Sequence, residues 1–151
     1  MKIEFLCDEI QHAPAVTRWI FNEWVKHRVS DMTYEQLLGR IQNCHKDKFP
    51  IRLVALIDGK CVGTIALVEN DLKGKSHTPW LAALYIDPDY RNQKIGMQLT
   101  ERLKAVAKEL GYKELYLRTE TASDYYRKLG WEFVESYKDK DLTPDVFKTK
   151  L

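Results

Sequence analysis

The hydrophobic positions of this chain change spacing several times, and each change predicts a new element. Polar and apolar residues alternate over residues 2–6, which is the pattern of a first strand. Pro14 then suits the first turn of a helix that is predicted to run to about Arg28. The apolar face of this helix recurs at helical spacing and comprises Val16, Trp19, Ile20 and Trp24.

A second helix and a hairpin are predicted next. Thr33 and Gln36 form a capping-box pattern, which marks the start of a helix. Residues 51–57 are a short, β-rich apolar run, and Asp58-Gly59 after it is typical of a type I′ turn leading into residues 60–69. These two runs are expected to pair as antiparallel strands at the centre of a sheet.

Residues 80–111 predict a strand, a polar turn and a long helix. Residues 80–86 favour a strand, which Pro88 ends because proline cannot donate to a ladder. Apolar residues then fall on one helical face from Ile95 to Leu110, and Gly111 supplies a C-terminal cap. The join at residues 91–96 is therefore a loop that feeds a helix N-terminus.

This join has the properties of a phosphate site. A helix N-terminus offers unpaired N–H groups and partial positive charge. Arg91 and Lys94 add full positive charges, and Gly96 permits close approach of a ligand to the backbone.

Strands and helices alternate in the last third of the chain. Strands are predicted at residues 114–118, 131–137 and 146–151, with a short helix at 122–129 and a polar turn at 138–145. This alternation is typical of a parallel α/β portion.

Composition narrows the functional classes. A chain of 151 residues with 44% hydrophobic and 30% charged residues is expected to be one globular domain. The net charge of +2 favours neither nucleic acid nor a membrane as partner, and no signal peptide or membrane span is evident. Cys7, Cys44 and Cys61 lack the spacing of a metal or redox motif, so free thiols in a cytoplasmic protein are expected.

The loop sequence Ile86-Asp-Pro-Asp-Tyr-Arg-Asn-Gln-Lys-Ile-Gly-Met97 resembles the acyl-CoA motif of the GCN5-related N-acetyltransferase (GNAT) family, R/Q-x-x-G-x-G/A. Arg91 falls on the R/Q position and Gly96 on the second glycine. Lys94 at the first glycine and Met97 beside the second depart from the pattern. Residues 115–133 resemble the family's later A-x-x-x-Y-x-x-x-G-F/W segment, on the positions Ala122, Tyr126, Gly130 and Trp131.

The resemblance implies a single domain over residues 1–151. Its fold class is α/β, with a mixed, mostly antiparallel sheet of about seven strands that splays in the middle and is flanked by about four helices. Dimers are common in that family, and the predicted last strand is a candidate exchange or pairing edge, so the oligomeric state stays open.

The resemblance further implies acetyl-CoA as cosubstrate and assigns roles to residues. Backbone N–H groups would hold the pyrophosphate, Arg91 and Asn92 would add polar contacts, and Thr119 would contact the cofactor arm. The N–H of Ile86 would stabilise the oxyanion. The residues whose N–H groups would hold the pyrophosphate are Gln93, Lys94, Ile95, Gly96 and Met97.

Two proton-transfer roles remain. Tyr126 matches the family's general acid, and a phenol of pKa about 10 can protonate a thiolate of pKa about 8.5. Periodicity alone does not separate Tyr126 from Tyr125. Glu120 is the candidate base that deprotonates the amine, with Glu69 and Tyr85 as rivals.

The predicted function is N-acetyltransfer from acetyl-CoA directly to a primary amine of a small molecule or peptide. The first two helices would overhang the acceptor, with Trp24, His27, Arg28 and Tyr34 as candidate contacts. The alternative is a non-catalytic acyl-CoA-binding regulatory module, which the departures at Lys94 and Met97 favour and Tyr126 disfavours.

Overall fold

One mixed sheet organises the molecule. The computed structural model describes residues 1–25, 31–72, 74, 76–138 and 142–151. The strands of the described part are β1 (Lys2–Phe5), β2 (Ile51–Ile57), β3 (Lys60–Val68), β4 (Trp80–Ile86), β5 (Glu114–Thr119), β6 (Glu132–Ser136) and β7 (Asp145–Lys150). Their order is β1-β2-β3-β4-β5-β7-β6, and every neighbouring pair is antiparallel except β4 and β5. The predicted seven-stranded, mostly antiparallel sheet is confirmed.

Helices cover both faces of the sheet. The α-helices are α1 (Ala13–Ile20), α2 (Tyr34–Gln42), α3 (Ile95–Glu109) and α4 (Ser123–Lys128). The apolar stripe of α3, including the fully buried Leu99 and Leu103, packs on one face. Helices α1 and α2 pack on the other face, against Val54 and Leu56 of β2. Within the described residues, no helix combines the length and apolarity needed to cross a bilayer.

The local signals in the sequence have the predicted geometry. Asp58 and Gly59 have φ angles of 50° and 78°, as a type I′ turn requires. The N–H of Gln36 donates to Thr33 Oγ1 (3.1 Å) and the N–H of Thr33 donates to Gln36 Oε1 (2.9 Å), so the capping box is complete.

The sheet opens between β4 and β5. In the described residues their register is recorded for one pair, Trp80 with Tyr116. The pairing of β3 with β4 shifts between Thr64 and Ala66, opposite Ala83, whose φ is 52°. An alanine in this left-handed conformation costs about 1–2 kcal/mol, and such a bulge bends its strand. The expected bulge and splay are both present, and they leave a slot at the carboxyl end of β4.

The N-terminal helix differs from its prediction. The strand ends at Phe5, a 3₁₀ segment spans Leu6–His12, and α1 ends at Ile20 before a π-type turn over Phe21–Val25. The apolar spacing did not show this change of pitch, because a π turn adds one residue without breaking the helical run. His27 and Arg28 lie outside the described residues.

The prediction that the last strand forms an edge available for pairing is wrong. Strand β7 lies between β5 and β6 and makes six residue pairs with β5. The chain leaves β5, forms the outermost strand β6, and returns to fill the gap. The apolar pattern of a short strand gives its faces but not its neighbours, so sequence reasoning could not assign this order.

The prediction of free thiols is wrong for two of the three cysteines. Cys7 and Cys44 form a disulfide, and Cys61 is free and buried. The two partners are 37 positions apart, and the fold brings the segment before α1 beside the segment after α2. An ion pair between Lys46 and Asp8 (2.8 Å) joins the same two segments.

We expect the native protein to contain one free thiol, which reacts with a thiol reagent only after denaturation. Three thiols should react after denaturation with reductant. Because the disulfide closes a long loop, Cys44→Ser should lower the free energy of unfolding by about 2–4 kcal/mol. Reductant should lower the melting temperature of the wild type but not of Cys44→Ser, and three reactive thiols without reductant would contradict the disulfide.

Candidate active site

A groove lies between α3, α4 and the end of β4. Its volume is about 250 Å³, and its walls include Leu84, Thr100, Tyr126 and a rim of exposed apolar side chains. The rim consists of Met97, Tyr125 and Leu129, whose side chains are 40%, 51% and 44% exposed. Such a concentration of exposed apolar surface in a concave site is typical of a ligand-binding groove. The groove fits a ligand with an apolar arm.

The loop before α3 has an unusual backbone. Asn92 and Lys94 both have φ angles of 64°, and Lys94 is the N-cap residue of α3. Lys94 therefore adopts the conformation that glycine reaches without strain, which explains how a lysine occupies the first glycine of the motif. Each left-handed residue costs about 1–2 kcal/mol. Alternation of left- and right-handed residues turns successive N–H groups toward one side, which is how backbone anion sites are made.

The first turn of α3 is positioned against β4. Ile95 is 3% exposed and anchors the helix start in the core. A Cβ atom at Gly96 would lie 3.9 Å from Leu84 Cδ2, so Gly96 sits close to the strand. Because the first N–H groups of a helix have no carbonyl partner within it, those of Ile95, Gly96 and Met97 are available to a ligand at this end. Gln93, like Asn92, is exposed beside them.

The N–H of Ile86 is directed into the slot. The next residue, Asp87, donates its N–H to Val62 O of β3 (2.9 Å). Since successive N–H groups of a strand point to opposite edges, that of Ile86 points away from β3, toward the side that β5 has left. Arg91, predicted to contact the cofactor, donates from Nε to Ile86 O (3.0 Å), and its guanidinium carbon lies 5.4 Å from the Tyr85 ring centroid. Arg91 therefore stabilises the end of β4 through this hydrogen bond and the ring contact.

Gly63 is a residue that the sequence analysis missed. A Cβ atom at this position would lie 2.9 Å from Ile86 Cδ1 and 3.3 Å from Leu99 Cδ1. A side chain at this position would force Ile86 Cδ1 to shift, and it would also lie 3.3 Å from the backbone oxygen of Tyr85. An isolated glycine inside a predicted strand was the available signal.

Tyr126 faces the interior side of the groove. Its ring centroid lies 5.9 Å from that of Trp131 and 6.3 Å from that of Phe147. Burial raises the pKa of Tyr126, and the adjacent Tyr125 raises it further. The phenol therefore keeps its proton at neutral pH, as a proton donor must. Tyr125, which periodicity could not separate from Tyr126, lies at the exposed rim.

Helix α4 is fixed by polar contacts that the sequence did not reveal. Ser123 Oγ and Ser136 Oγ each donate to the Asp145 carboxylate at 2.6 Å, which holds the pKa of Asp145 below its usual range. Asp145 thereby ties α4 to β6 and β7. Thr119, predicted to contact the cofactor arm, is 8% exposed, and its hydroxyl accepts a hydrogen bond from the N–H of Ala122 (3.0 Å).

A second cavity lies on the opposite face of β4. Leu84 and Ile86 face α3, whereas Tyr85 and Asp87 face α1. The ring of Tyr85 contacts those of Trp19 (5.4 Å) and Trp24 (6.4 Å). The cavity has a volume of about 430 Å³, and we call it the α1 cavity; it is lined by His12, Ala15, Arg18, Trp19, Lys60, Cys61 and Asp87. Strand β4 thus has a cavity on each of its two faces.

Glu120, the candidate base, follows β5. Its carboxylate pairs with Arg118 Nη2 (2.9 Å), and Arg118 Nη1 donates to Asp71 O (3.2 Å). Arg118 alternates with Leu117, which faces α3, so the Arg118–Glu120 pair lies on the α1 face. Of the two rivals, Tyr85 is covered by tryptophan rings and Glu69 follows the end of β3.

Solved structures share this architecture. One is an aminoglycoside 6'-N-acetyltransferase complexed with coenzyme A, with a TM-score of 0.77 and 15% identity. The match covers 99% of this chain and 97% of that one. This chain covers all of a ribosomal-protein-alanine N-acetyltransferase from Brucella melitensis over its own full length, with a TM-score of 0.77 and 20% identity. A putative acetyltransferase from Salmonella typhimurium with acetyl-CoA matches with a TM-score of 0.75 and 18% identity, over 100% of this chain and 94% of that one. These similarities establish the fold.

Sequence comparison identifies the family. An amino-acid acetyltransferase from Azotobacter vinelandii is 38% identical over 52 residues, which are 34% of this chain and 12% of that relative. The chain therefore spans a small part of that protein. The model of the Acetyltransferase (GNAT) family matches residues 13–131. The predicted class, an acetyltransferase with acetyl-CoA as cosubstrate, agrees with this match, and the chain belongs to the GNAT acetyltransferase family.

Proposed function

We propose that this protein transfers the acetyl group of acetyl-CoA directly to a primary amine of a small molecule or peptide. The observation that carries the proposal is the slot beside β4, a strand that has the groove on its α3 face and the α1 cavity on its other face. The donor and the acceptor can approach the N–H of Ile86 from opposite sides. Two structural neighbours are named for an aminoglycoside and for an alanine of ribosomal proteins, so this fold serves amines of both sizes.

The described residues fit acetyl-CoA. The left-handed loop and the start of α3 present N–H groups for the pyrophosphate, with Arg91, Asn92 and Lys94 beside them. The apolar rim of the groove suits the pantetheine arm, and the hydroxyl of Thr119 would contact the same arm. Acetyl-CoA supplies the activated acyl group, a thioester.

Three residues of the chain carry the chemistry. Glu120 accepts a proton from the ammonium form of the acceptor, on the face where the acceptor lies. The Ile86 N–H stabilises negative charge on the carbonyl oxygen, and a fixed donor of this kind is typically worth about 3–4 kcal/mol. Tyr126, on the donor face, gives its proton to the departing sulfur. The base and the acid therefore act from opposite sides of the sheet.

The regulatory alternative is less well supported. It was favoured by Lys94 and Met97, but Lys94 adopts the backbone conformation of a glycine and Met97 forms part of the groove rim. Neither residue blocks the site. The Tyr126→Phe variant distinguishes the two functions, because both bind acetyl-CoA but only an enzyme has a rate to lose.

Calorimetric titration with acetyl-CoA should show saturable binding in the micromolar range. Lys94→Ala removes a charge beside the phosphate site and should weaken binding by about three- to tenfold. Lys94→Gly should weaken it equally but should be more stable than Lys94→Ala by about 1 kcal/mol, because it relieves the left-handed strain. Lys108→Ala, at the other end of α3, is the control and should bind normally. Absence of any binding by the wild type would count against the cofactor.

Tyr126→Phe should lower kcat by about 10²–10⁴-fold and leave the Kd of acetyl-CoA unchanged, because only the proton donor is lost. The neighbouring Tyr125→Phe is the matched control and should retain most of the rate. Since the pKa of Tyr126 is raised, the wild-type rate should not lose this proton donor below pH about 10. An unchanged kcat in Tyr126→Phe would reject the tyrosine as the acid.

Glu120→Gln should lower kcat/KM most strongly at neutral pH, where an alkyl amine is largely protonated and needs a base. The defect should shrink as the pH rises toward the pKa of the acceptor, because the free amine becomes abundant. Glu69→Gln provides the comparison with the rival residue. If Glu69→Gln shows the pH-dependent defect and Glu120→Gln does not, the assignment of the base is reversed.

A further inference from the structure

The α1 cavity carries more positive than negative charge. Arg18 from α1 and Lys60 from β3 bring two cationic side chains to the lining, and His12 lies beside them. Asp87 is the carboxylate of its lining. The surplus of positive charge is the first indication of what the cavity binds.

The Asp87 carboxylate offsets only part of this surplus, because it pairs with Lys60 and not with Arg18. Its Oδ1 accepts a hydrogen bond from the N–H of Asp89 (3.0 Å), and its Oδ2 lies 3.9 Å from Lys60 Nζ. Lys60 also lies over the ring of Tyr90, with 5.1 Å between Nζ and the centroid. Arg18 makes no ion pair with any carboxylate in the described part of the chain. Its guanidinium can therefore bind a ligand without breaking an existing contact.

The cavity adjoins the reaction centre. Asp87 directly follows Ile86, and Trp19 both lines the cavity and contacts the ring of Tyr85, which precedes Ile86. Because a strand advances about 3.3 Å per residue, a group bound near Asp87 lies within one or two residue lengths of an amine in the slot. One small molecule can span both points.

We propose that the acceptor carries an anionic group in addition to its amine, and that Arg18 and Lys60 bind this group, a carboxylate, in the α1 cavity. The inference rests on the proposed acetyl transfer. A guanidinium binds a carboxylate through two parallel hydrogen bonds, and the ring of Trp19 supplies an apolar wall for the body of the molecule. The acceptor class is therefore an amino acid, or a peptide short enough for both of its ends to reach.

Matched acceptors test the charge requirement. Amino acids are compared with their amides and with the corresponding decarboxylated amines, and phosphoethanolamine is compared with ethanolamine. Release of free CoA is the readout. The carboxylate members should exceed their amides in kcat/KM by about tenfold or more, as loss of one charged contact predicts. A preference for phosphoethanolamine over all carboxylate acceptors would overturn the carboxylate and show that the bound group is a phosphate. Equal or better transfer to amides and neutral amines would overturn the inference and leave the proposed acetyl transfer intact.

Variants test the assigned residues. Arg18→Gln should raise KM for the carboxylate acceptor by about tenfold and leave kcat within about twofold, with no change for its amide. Lys60→Gln should act in the same direction. Arg40→Gln, an exposed arginine of α2 outside the cavity, is the control and should change nothing. An equal effect of Arg18→Gln on the carboxylate and on its amide would contradict the assigned contact.

A measurement without catalysis covers the case in which no amine is acetylated. Fluorescence quenching by iodide and by neutral acrylamide is recorded for the wild type and for Trp19→Phe, and the difference isolates Trp19. If the cavity attracts anions, Arg18→Gln should lower the iodide-to-acrylamide quenching ratio of Trp19 by about twofold. An unchanged ratio would overturn the anion site, whereas a lowered ratio without acetyl transfer would retain the site and reject the proposed function.

Discussion

The site depends on the early separation of β4 from β5. A continuous parallel pairing would have satisfied the backbone groups of Ile86 and closed the sheet. Instead, pairing is recorded at Trp80 with Tyr116, and the bulge at Ala83 turns the rest of β4 away. The N–H of Ile86 thus loses a strand partner and becomes available to a substrate. The left-handed backbone conformation of Ala83 costs free energy, and this cost is the local consequence of the bulge.

The side chains of β4 are divided between the two faces of the sheet. Side chains of a strand alternate, so neighbouring residues face different helices: Leu84 and Ile86 face α3, whereas Tyr85 and Asp87 face α1. The proposed acid Tyr126 and the proposed base Glu120 follow the same division. In the proposed mechanism the sheet therefore separates the two proton transfers, which limits direct exchange between base and acid.

Much of the fold follows from local sequence signals. Residues 51–57, 80–86 and the start of α3 at Ile95 are predicted at their observed bounds, because strand composition, a proline and helical periodicity mark them. The disulfide between Cys7 and Cys44, the π turn after Ile20 and the interior position of β7 were missed. Each depends on contacts between distant segments, which leave no periodic trace in the sequence.

The same distinction applies to the site. The motif indicated Arg91, Gly96 and Tyr126 by residue type and spacing. It could not show the groove wall, although Met97, Thr100 and Lys104 recur at helical spacing along a second stripe of α3. Asp145 was also missed, because its two serine partners are 22 and 9 positions away along the chain.

The contacts around Ile86 define how rigid the proposed catalytic donor is. The peptide unit that links Ile86 to Asp87 is held at both ends, because its carbonyl accepts from Arg91 and its N–H donates to Val62. Rotation of this plane would break a bond on either side of the strand. The residue that carries the preceding N–H is therefore held before any substrate arrives, and the arginine that is predicted to contact the cofactor is one of the two groups that hold it.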